Sequence, residues 1–564
     1  MLAIPDHGIG YGLSRYLTEE GRSVLGGFAR PQVSFNYLGR FATGSSEGMD
    51  DVGWIPVSDS TLGDAQNPDM PVPALLDINA VTNTTSAGPV LDATFAFPTG
   101  VLTVSEVDRL VELWVSAMTA LTVHTDAPEA GGYTPSDLDL VAIDQQTISS
   151  LEEQFPRLDD VWSMSPLQAG LLFHARLAGE VDAQIDLGAG EDGVDAYMVQ
   201  LGLELRGVVD AQRLRAAAQT LLDRHPNLRA AFVSGANGES LQVVQTGVEV
   251  PWSDVDLRGE PDVEAALEAV LEADRATRFV LDRAPLLRFT LITKADGEWR
   301  LLMTNHHILL DGWSTPLLIK ELLTLYATAG DDSMLPRVPA YRDYLAWMHR
   351  RDAELSRAEW VRALSGVEEP TLLSDGDRGR QLSTSSVETT YSLSREVTAS
   401  LRDLAAQRGS TLNTVVQSAW GVVLSALTGR ADVVFGATVS GRPPEVPGIE
   451  SMIGLFINTL PVRISLDPAE PIGDLVDRVQ AEQASLLDHH YLGLTDIQRA
   501  AGNGVSFDTL TVFESYPVDR AGLSEETDIA GLKVADVLGT DAAHYPLTLV
   551  ASVDGLQKRP VACV

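Results

Sequence analysis

The chain has 564 residues, of which 45% are hydrophobic and 21% charged, so it is too long for one hydrophobic core and has the composition of a folded globular protein. Forty Lys and Arg residues against 79 Asp and Glu give a formal net charge of -39, which repels a phosphate backbone, so no nucleic-acid partner is expected. The single cysteine, Cys563, excludes an intramolecular disulfide and a cysteine-rich zinc site, and it fits a reducing cytosol.

No membrane partner is expected either. The residues after Met1 have neither the basic start nor the apolar stretch of a secretory signal. The most apolar helical segment begins at Thr411 and is interrupted by Asn413, Gln417 and Ser418, so it falls short of the roughly 20 apolar residues that span a bilayer. We expect it to be a buried core helix.

Residues 1–127 form the first region. Three strand-like runs, QVSFNYLG, ALLDINAV and LDATFAF, precede an amphipathic helix for which Ser105 is the predicted N-cap. The apolar stripe of this helix comprises Leu110, Leu113, Val115 and Met118. The next segment, 128–158, is rich in Gly, Pro and Asp and predicts an interdomain linker.

From residue 159 onward long helices alternate with strands, which indicates an α/β or α+β domain. One helix is predicted to end at Arg224, because Pro226 blocks its continuation. Two strands, PLLRFTLI and WRLLMTNHH, flank an Asp-Gly pair at 296–297 and predict a hairpin. A helix is predicted to follow, with Ser314 or Thr315 as its cap and Pro316 as its first residue.

The hairpin ends in the densest cluster of functional groups in the chain, HHILLDGW at 306–313. Neighbouring side chains on a strand point to opposite faces, so only one of the two histidines is expected to face a cavity, where a neutral imidazole can accept a proton. Opposite faces also argue against a shared metal ion, and no metal is expected. Asp311 can orient a histidine or pair with a buried arginine, and Gly312 leaves room for a ligand chain.

HHILLDGW resembles the HHxxxDG signature of condensation domains in nonribosomal peptide synthetases, members of the chloramphenicol-acetyltransferase-like superfamily. Four further segments are similar to that family's motifs and stand in the family's order, from about residue 162 to 546. They are MSPLQAGLLFHARL from Met164, DRHPNLRAAF from Asp223, YRDYLAW from Tyr341 and IGLFINTLPVR from Ile453.

The resemblance implies an α/β fold (an α+β sandwich) with two chloramphenicol-acetyltransferase-like lobes, residues 159–335 and 336–564, in a V around a tunnel. By the same resemblance His307 is catalytic. Its implied structural neighbours are His306, Asp311, Gly312 and Trp313, and Asn458 and Thr459 are expected near the tunnel in the second lobe.

Arg224, in the run RHPNLR, is a candidate partner for Asp311, with a surface or helix-terminal position as the alternative. His489 and His490 stand where the family usually has a polar-aromatic run. The following residues depart from that run, so we expect no functional role for these two histidines.

The implied activity is amide-bond formation between two substrates held as phosphopantetheine thioesters on upstream and downstream peptidyl carrier domains, with an adenylation domain elsewhere and no bound cofactor. A thioester is already activated, so much of the rate can come from holding amine and carbonyl together. His307 is then expected to position the amine and stabilise developing charge.

The first region has its own resemblance. PDHGIGYG from Pro5 and FNYLG from Phe35 are similar to motifs near the end of epimerization domains, which share the condensation fold. The glycines also have a structural explanation as turn positions. The histidine and glutamate motifs of that family are not in this segment, so we expect a partial lobe that is inactive alone. Its order before a condensation domain implies a D-configured donor and an L-configured acceptor.

Two strand-like stretches, VSFNYLGRF near 33 and FDTLTVFESYP near 507, have similar texture, and each is followed by another apolar strand. The second copy then ends, so we expect the condensation domain to lack its last strand and helix, with an unpaired sheet edge and poor solubility. Two alternatives remain for the whole chain: a free-standing acyltransferase that uses acyl-coenzyme A, and a non-catalytic remnant or docking module.

Overall fold

A computed structural model describes residues 8–29, 31–42, 70, 72, 74–85, 88–126, 130–184, 197–235, 238–373, 389–514, 527–540 and 545–552. The chain divides into two compact units, Met1–Gly131 and Gly132–Val564. Cys563, the start of PDHGIGYG and the C-terminal end lie outside the described residues.

The first unit contains a three-stranded sheet in the order β1-β2-β3, with β1 and β2 parallel and β2 and β3 antiparallel. The three predicted strands and the predicted helix are confirmed. In chain order the elements are α1 (Ile9–Leu17), α2 (Glu19–Leu25), β1 (Val33–Ala42), β2 (Leu76–Thr85), β3 (Gly88–Ala96) and α3 (Val104–Thr125).

The N-cap of helix α3 lies two residues before the predicted cap, Ser105. The Thr103 hydroxyl accepts the Glu106 N–H at 3.3 Å, and the Glu106 carboxylate accepts the Thr103 N–H at 2.8 Å. This reciprocal pair satisfies two N–H groups that the first turn leaves without partners, so Thr103 rather than Ser105 is the N-cap. The expected stripe is exposed within this unit, where Val107 is the buried residue of the helix.

The second unit contains three sheets, in the orders β14-β5-β10-β9-β8, β12-β11-β13-β15 and β4-β7-β6. Its described helices are α4 (Gln145–Gln154), α5 (Pro166–Gln184), α6 (Ala211–Arg224), α7 (Val263–Ala276), α8 (Ser314–Ala327), α9 (Tyr341–His349), α10 (Ala353–Ala363), α11 (Arg395–Gln407), α12 (Leu412–Thr428), α13 (Ile472–Ser485) and α14 (Leu494–Ala501). Its described strands are β4 (Leu158–Ser163), β5 (Met198–Gly207), β6 (Ala230–Ser234), β7 (Ser240–Gln245), β8 (Trp252–Asp256), β9 (Leu287–Ala295), β10 (Glu298–His306), β11 (Asp432–Val439), β12 (Asn458–Ser465), β13 (Thr509–Glu514), β14 (Leu532–Thr540) and β15 (Leu547–Ser552).

The five-stranded sheet positions the histidine cluster. Strand β10 is its central strand and pairs antiparallel with β5 on one side and β9 on the other. The predicted hairpin between β9 and β10 is confirmed, and Gly297 in its turn has a φ of 78°, a conformation that favours glycine. Helix α6 ends at Arg224 as predicted. The strand that carries His306 is therefore hydrogen-bonded to a neighbouring strand on each side.

One strand of this sheet comes from far along the chain. Strand β14 pairs antiparallel with β5, with Val534 opposite Leu205, and both side chains are buried. A division into contiguous lobes at residue 335 therefore does not describe this sheet, because its edge strand follows β13. The similarity noted between the two units is also present in the fold: β13 and β15 pair in parallel, as β1 and β2 do.

The linker predicted at 128–158 is packed from Leu138 onward. Helix α4 and the loops around it bury Leu138, Ile148 and Phe155 in one hydrophobic cluster with β4 and β7. The linker prediction is wrong for this part, because apolar residues at helical spacing within a polar segment are enough to bury one helix face. The Gly, Pro and Asp content dominated the sequence pattern.

Helix α12 is buried on one side only. Val415 and Leu424 are buried, whereas Leu427 is 63% exposed, so the prediction of a buried core helix holds for one face. Thr411 caps its first turn and Gly429, with a φ of 71°, ends it. Within the ranges described, no helix has the length and apolar content needed to cross a membrane.

Replacing Ile148 by Ala tests whether the supposed linker contributes to the core. Ile148 is fully buried, so the substitution should lower the free energy of unfolding by about 2–4 kcal/mol. Urea denaturation measures it. Glu153→Ala, an exposed position on the same helix, should change stability by less than about 0.5 kcal/mol. Equal, small effects of both substitutions would show that α4 does not pack against the unit.

Candidate functional site

The two adjacent histidines at the end of β10 have different surroundings. His306 is fully buried, and its Nδ1 accepts the Ile308 N–H at 3.1 Å. His307 is partly exposed, and its backbone N–H donates to the Tyr197 carbonyl at 2.7 Å. The Nδ1 atom of His307 is buried and has no hydrogen-bond partner. His306 therefore shapes the turn, and His307 is the histidine whose side chain is partly accessible.

Asp311 is a buried carboxylate that joins two distant parts of the second unit. One of its oxygens accepts the Ser314 N–H at 2.8 Å and contacts the Arg442 guanidinium at 3.2 Å. The other accepts the Phe456 N–H at 3.0 Å. The backbone N–H of Asp311 donates to the Gly454 carbonyl at 3.1 Å. Of the two roles considered, Asp311 therefore pairs with a buried arginine and holds the loop.

Arg442 is the arginine partner of Asp311, and its side chain is only 4% exposed. It also donates to the Ile449 carbonyl at 2.5 Å and the Met452 carbonyl at 3.0 Å. Its guanidinium carbon lies 3.9 Å from the centre of the Phe456 ring. Burial lowers the pKa of Arg442, and the Asp311 charge opposes that effect. These contacts compensate for taking the cation out of water.

Ser314 completes the same junction. Its hydroxyl donates to the Gly454 carbonyl at 2.8 Å and accepts the Gly454 N–H at 3.0 Å and an Arg442 N–H at 2.9 Å. Helix α8 begins at Ser314, and Asp311 accepts that residue's N–H. The predicted cap at Ser314 or Thr315 is therefore wrong. The Asp311 carboxylate, which pairs with Arg442, also accepts the first backbone N–H of α8.

Gly312 and Trp313 lie between the histidines and α8, and both are partly exposed. The Trp313 indole N–H donates to the Glu450 carbonyl at 3.0 Å. Thus the loop after β10 is attached to residues 449–456 at several points.

Arg224 is not the partner of Asp311. Its guanidinium contacts Glu321 at 2.6 Å and Asp332 at 2.8 Å, and it donates to the Pro336 carbonyl at 2.9 Å. It therefore fastens the end of α6 to α8 and the loop beyond it. The sequence offered no local signal for the true partner, because Asp311 and Arg442 are 131 residues apart.

Asn458 and Thr459 begin β12, and both are less than a tenth exposed. The Asn458 amide donates to the His490 and Leu492 carbonyls, each at 2.8 Å, and its oxygen accepts the Thr459 N–H at 3.0 Å. Asn458 therefore holds the loop after α13 against β12.

That loop contains the two histidines for which we expected no role. His489 Nδ1 lies 2.9 Å from the Ser356 hydroxyl, which lies 2.7 Å from the Tyr491 hydroxyl. Burial, reinforced by the neighbouring His489, lowers the pKa of His490 to about 4. His490 is therefore a neutral imidazole at neutral pH. Within the described part of the chain, no three His, Cys, Asp or Glu side chains are grouped to hold a metal ion.

The family model described as Condensation domain matches residues 159–557. Linear gramicidin synthase subunits C and D of Brevibacillus parabrevis are 33% and 34% identical to this chain over 97% and 98% of its length. The chain spans only 7% and 11% of those two relatives.

Two solved structures show the same fold. The first condensation domain of the CDA synthetase is 24% identical, with a TM-score of 0.51 over 69% of this chain and 88% of that one. The condensation domain of the Monacolin K polyketide synthase MokA is 18% identical, with a TM-score of 0.55 over 71% and 90%. The predicted mixed α/β fold is thereby confirmed.

Replacing Asp311 by Asn tests the buried ion pair. The substitution leaves the Arg442 charge buried without its counter-ion, so we expect a loss of about 3–5 kcal/mol in the free energy of unfolding, measured by urea denaturation. Glu359→Gln removes the partner of Arg362, whose side chain is 64% exposed, and should cost less than about 1 kcal/mol. Equal losses would mean that the Asp311 pair contributes no more than a surface pair.

The low pKa of His490 predicts a pH dependence of stability. An unfolded histidine has a pKa of about 6.5, so protons bind preferentially to the unfolded state, and stability present above that pH is lost as the pH falls toward 4. Between pH 7 and pH 5 the free energy of unfolding of the unsubstituted protein should fall by about 2 kcal/mol more than that of the His490→Gln variant.

Urea denaturation at the two pH values measures this difference. His349→Gln, at an exposed position on α9, should keep the full pH dependence of the unsubstituted protein. If His490→Gln keeps it as well, His490 is not the group that titrates.

Proposed function

The chain belongs to the condensation-domain family, and we propose on that basis that its second unit forms a peptide (amide) bond between a donor acyl or peptidyl thioester and an aminoacyl acceptor. Both substrates are carried on the phosphopantetheine of peptidyl carrier domains, upstream for the donor and downstream for the acceptor. An adenylation domain supplies the activated amino acid. The similarity to linear gramicidin synthase subunits supports this assignment.

The observation that carries the proposal is the contrast between the two histidines of HHILLDGW. His306 is fully buried and its Nδ1 bonds to backbone, whereas His307 is partly exposed and its Nδ1 has no protein partner. Asp311 and Arg442 form a buried ion pair with each other, so neither charge is available to a substrate. His307 is therefore the titratable group of this cluster that can meet a substrate.

Amide-bond formation from a thioester does not require His307 to be a strong base. An α-amine has a pKa of about 7.7–8.0, so a fair fraction is already the free nucleophile near neutral pH. The amine nitrogen attacks the thioester carbonyl, the C–S bond breaks, and the proton that the nitrogen loses ends on the departing sulfur, which stays on the donor carrier as a thiol. His307 orients the amine and stabilises the charge that develops on it, with the catalytic gain coming mainly from proximity.

The first unit supports a choice of donor. Residues 1–127 resemble the end of an epimerization domain, and we propose that the donor is accordingly D-configured and the acceptor L-configured. The fragment is inactive alone, since the family's catalytic histidine and glutamate motifs are not among its residues. Asn458 and Thr459 are proposed to line the substrate passage of the second lobe, and the buried Asn458 amide supports a role in shaping it.

Replacing His307 by Ala should lower the condensation rate at least about 100-fold with little change in melting temperature, because the ring is a catalytic and not a core group. The full chain is incubated with a donor carrier loaded with D- or L-aminoacyl pantetheine and an acceptor carrier loaded with L-aminoacyl pantetheine. Intact-protein mass spectrometry then follows the dipeptidyl thioester. His349→Ala, an exposed histidine, is the matched control and should retain activity.

The same assay separates the rival functions. Equal turnover of soluble acyl-coenzyme A and carrier-bound donors would indicate a free-standing acyltransferase. No product with any loaded pair would indicate a docking or remnant module. Full activity of His307→Ala would overturn the catalytic role of this residue.

A further inference from the structure

A buried glutamine far from the histidines in sequence contacts the loop that carries them. Gln168, in the first turn of α5, is 2% exposed. Its amide nitrogen donates to the Ile308 carbonyl at 3.1 Å, across 140 residues of sequence. Ile308 directly follows His307. The side chain therefore reaches the backbone one residue beyond the catalytic candidate.

The Gln168 amide uses every hydrogen-bonding position that it has. Its oxygen accepts the Ser165 N–H at 2.9 Å and the Gln242 amide at 3.0 Å. Its nitrogen donates to the Gln242 oxygen at 3.2 Å as well as to Ile308. A primary amide offers two donors and two acceptor sites, so all four are filled. The Ser165 N–H requires the oxygen and the Ile308 carbonyl requires the nitrogen, which fixes the amide orientation.

The first turn of α5, which carries Gln168, is held by Ser165 and packs against the loop at Gly493. The Ser165 hydroxyl accepts the Gln168 N–H at 3.3 Å, which closes the first turn of α5 as a capping box. A Cβ atom on Gly493, in the loop that Asn458 holds, would lie 2.8 Å from the Pro166 Cβ atom. A side chain at position 493 would therefore not fit against the start of α5 unless one of the two segments shifted.

His307 depends on its backbone for its direction. The buried Nδ1 of its ring has no partner, so no hydrogen bond to that atom orients the imidazole. The His307 N–H is bound to Tyr197, the Ile308 N–H to His306, and the Ile308 carbonyl to Gln168. The contacts from Tyr197 and His306 come from the five-stranded sheet and the residues next to it. The contact from Gln168 comes from α5, which lies outside that sheet.

We propose that Gln168 is a positioning residue: through the Ile308 carbonyl it sets the direction of the His307 imidazole. This inference rests on the proposed function of His307. Losing the Ile308 contact lets the peptide rotate, and a displacement of about 1 Å in a reacting group can cost roughly 100-fold in rate. Gln168 is buried, so substrate binding is expected to change little.

The first test is a kinetic comparison of Gln168→Met with the unsubstituted full chain in the carrier-based assay. The kcat should fall at least about tenfold, with the KM for each loaded carrier within about twofold. Gln417→Met is the matched control, since Gln417 is 3% exposed and its amide oxygen accepts a partly buried hydrogen bond from the Gln483 amide in another part of the unit. That control should retain the full kcat. A rise in KM at unchanged kcat contradicts a positioning role.

The second test reads the imidazole directly. The chain has 10 histidines, and labelling them with ¹³C at Cε1 gives resonances from which the His307 signal is assigned by its absence in His307→Ala. Gln168→Met should move that signal, whereas Gln417→Met should not. An unmoved signal in a folded Gln168→Met protein overturns the proposal, even if His307→Ala is inactive and the proposed function stands.

A double substitution tests whether Gln168 acts through His307 or independently of it. If Gln168 acts through His307, adding Gln168→Met to His307→Ala should lower the residual rate by less than about twofold. A loss as large as in the unsubstituted protein shows that Gln168 acts otherwise. Should Gln168→Met not fold, Gln168→Glu keeps the acceptor for Ser165, removes the donor to Ile308, and should show the same fall in kcat and the same moved resonance.

Discussion

The buried contact between Asp311 and Arg442 is the constraint on which the arrangement of the site depends. One carboxylate pairs with a cation, caps the first turn of α8 and accepts a backbone N–H from Phe456. A charge pair in the interior is seldom a net gain over a hydrophobic pair, but it is strict about geometry. The loop after β10 can therefore take one position relative to residues 449–456, and the histidines are placed accordingly.

Local patterns predicted the elements well because they depend on neighbours in sequence. The hairpin ending at His306 follows from strand periodicity and an Asp-Gly turn, and the end of α6 follows from a proline. The linker prediction failed where five buried apolar side chains in a polar segment outweighed its composition. Tertiary partners were beyond reach: Arg442 for Asp311 and Gln168 for Ile308 lie more than 100 residues away.

The two histidines illustrate how a site can be built with few active groups. Two polar groups near them are already bound within the protein: the Asp311 carboxylate by the Arg442 guanidinium, and the Ile308 carbonyl by the Gln168 amide. These contacts rigidify the surroundings of the His307 imidazole, the group that we propose meets the substrate. The proposed reaction needs orientation more than acid–base strength, because a thioester and an amine are reactive already. A rigid frame around one accessible ring suits that requirement.

The placement of β14 has a consequence for biosynthesis. Leu205 meets Val534 across the sheet, so the ribosome must add about 330 residues after β5 before its edge partner exists. At roughly 5–20 residues per second, that interval lasts from about 17 to 66 seconds. During that interval β5 exposes a row of unpaired backbone groups, the kind of edge on which another chain can add a strand. Exchanging residues 159–335 or 336–564 alone between synthetases would also separate β5 from β14, its partner at the edge of the sheet.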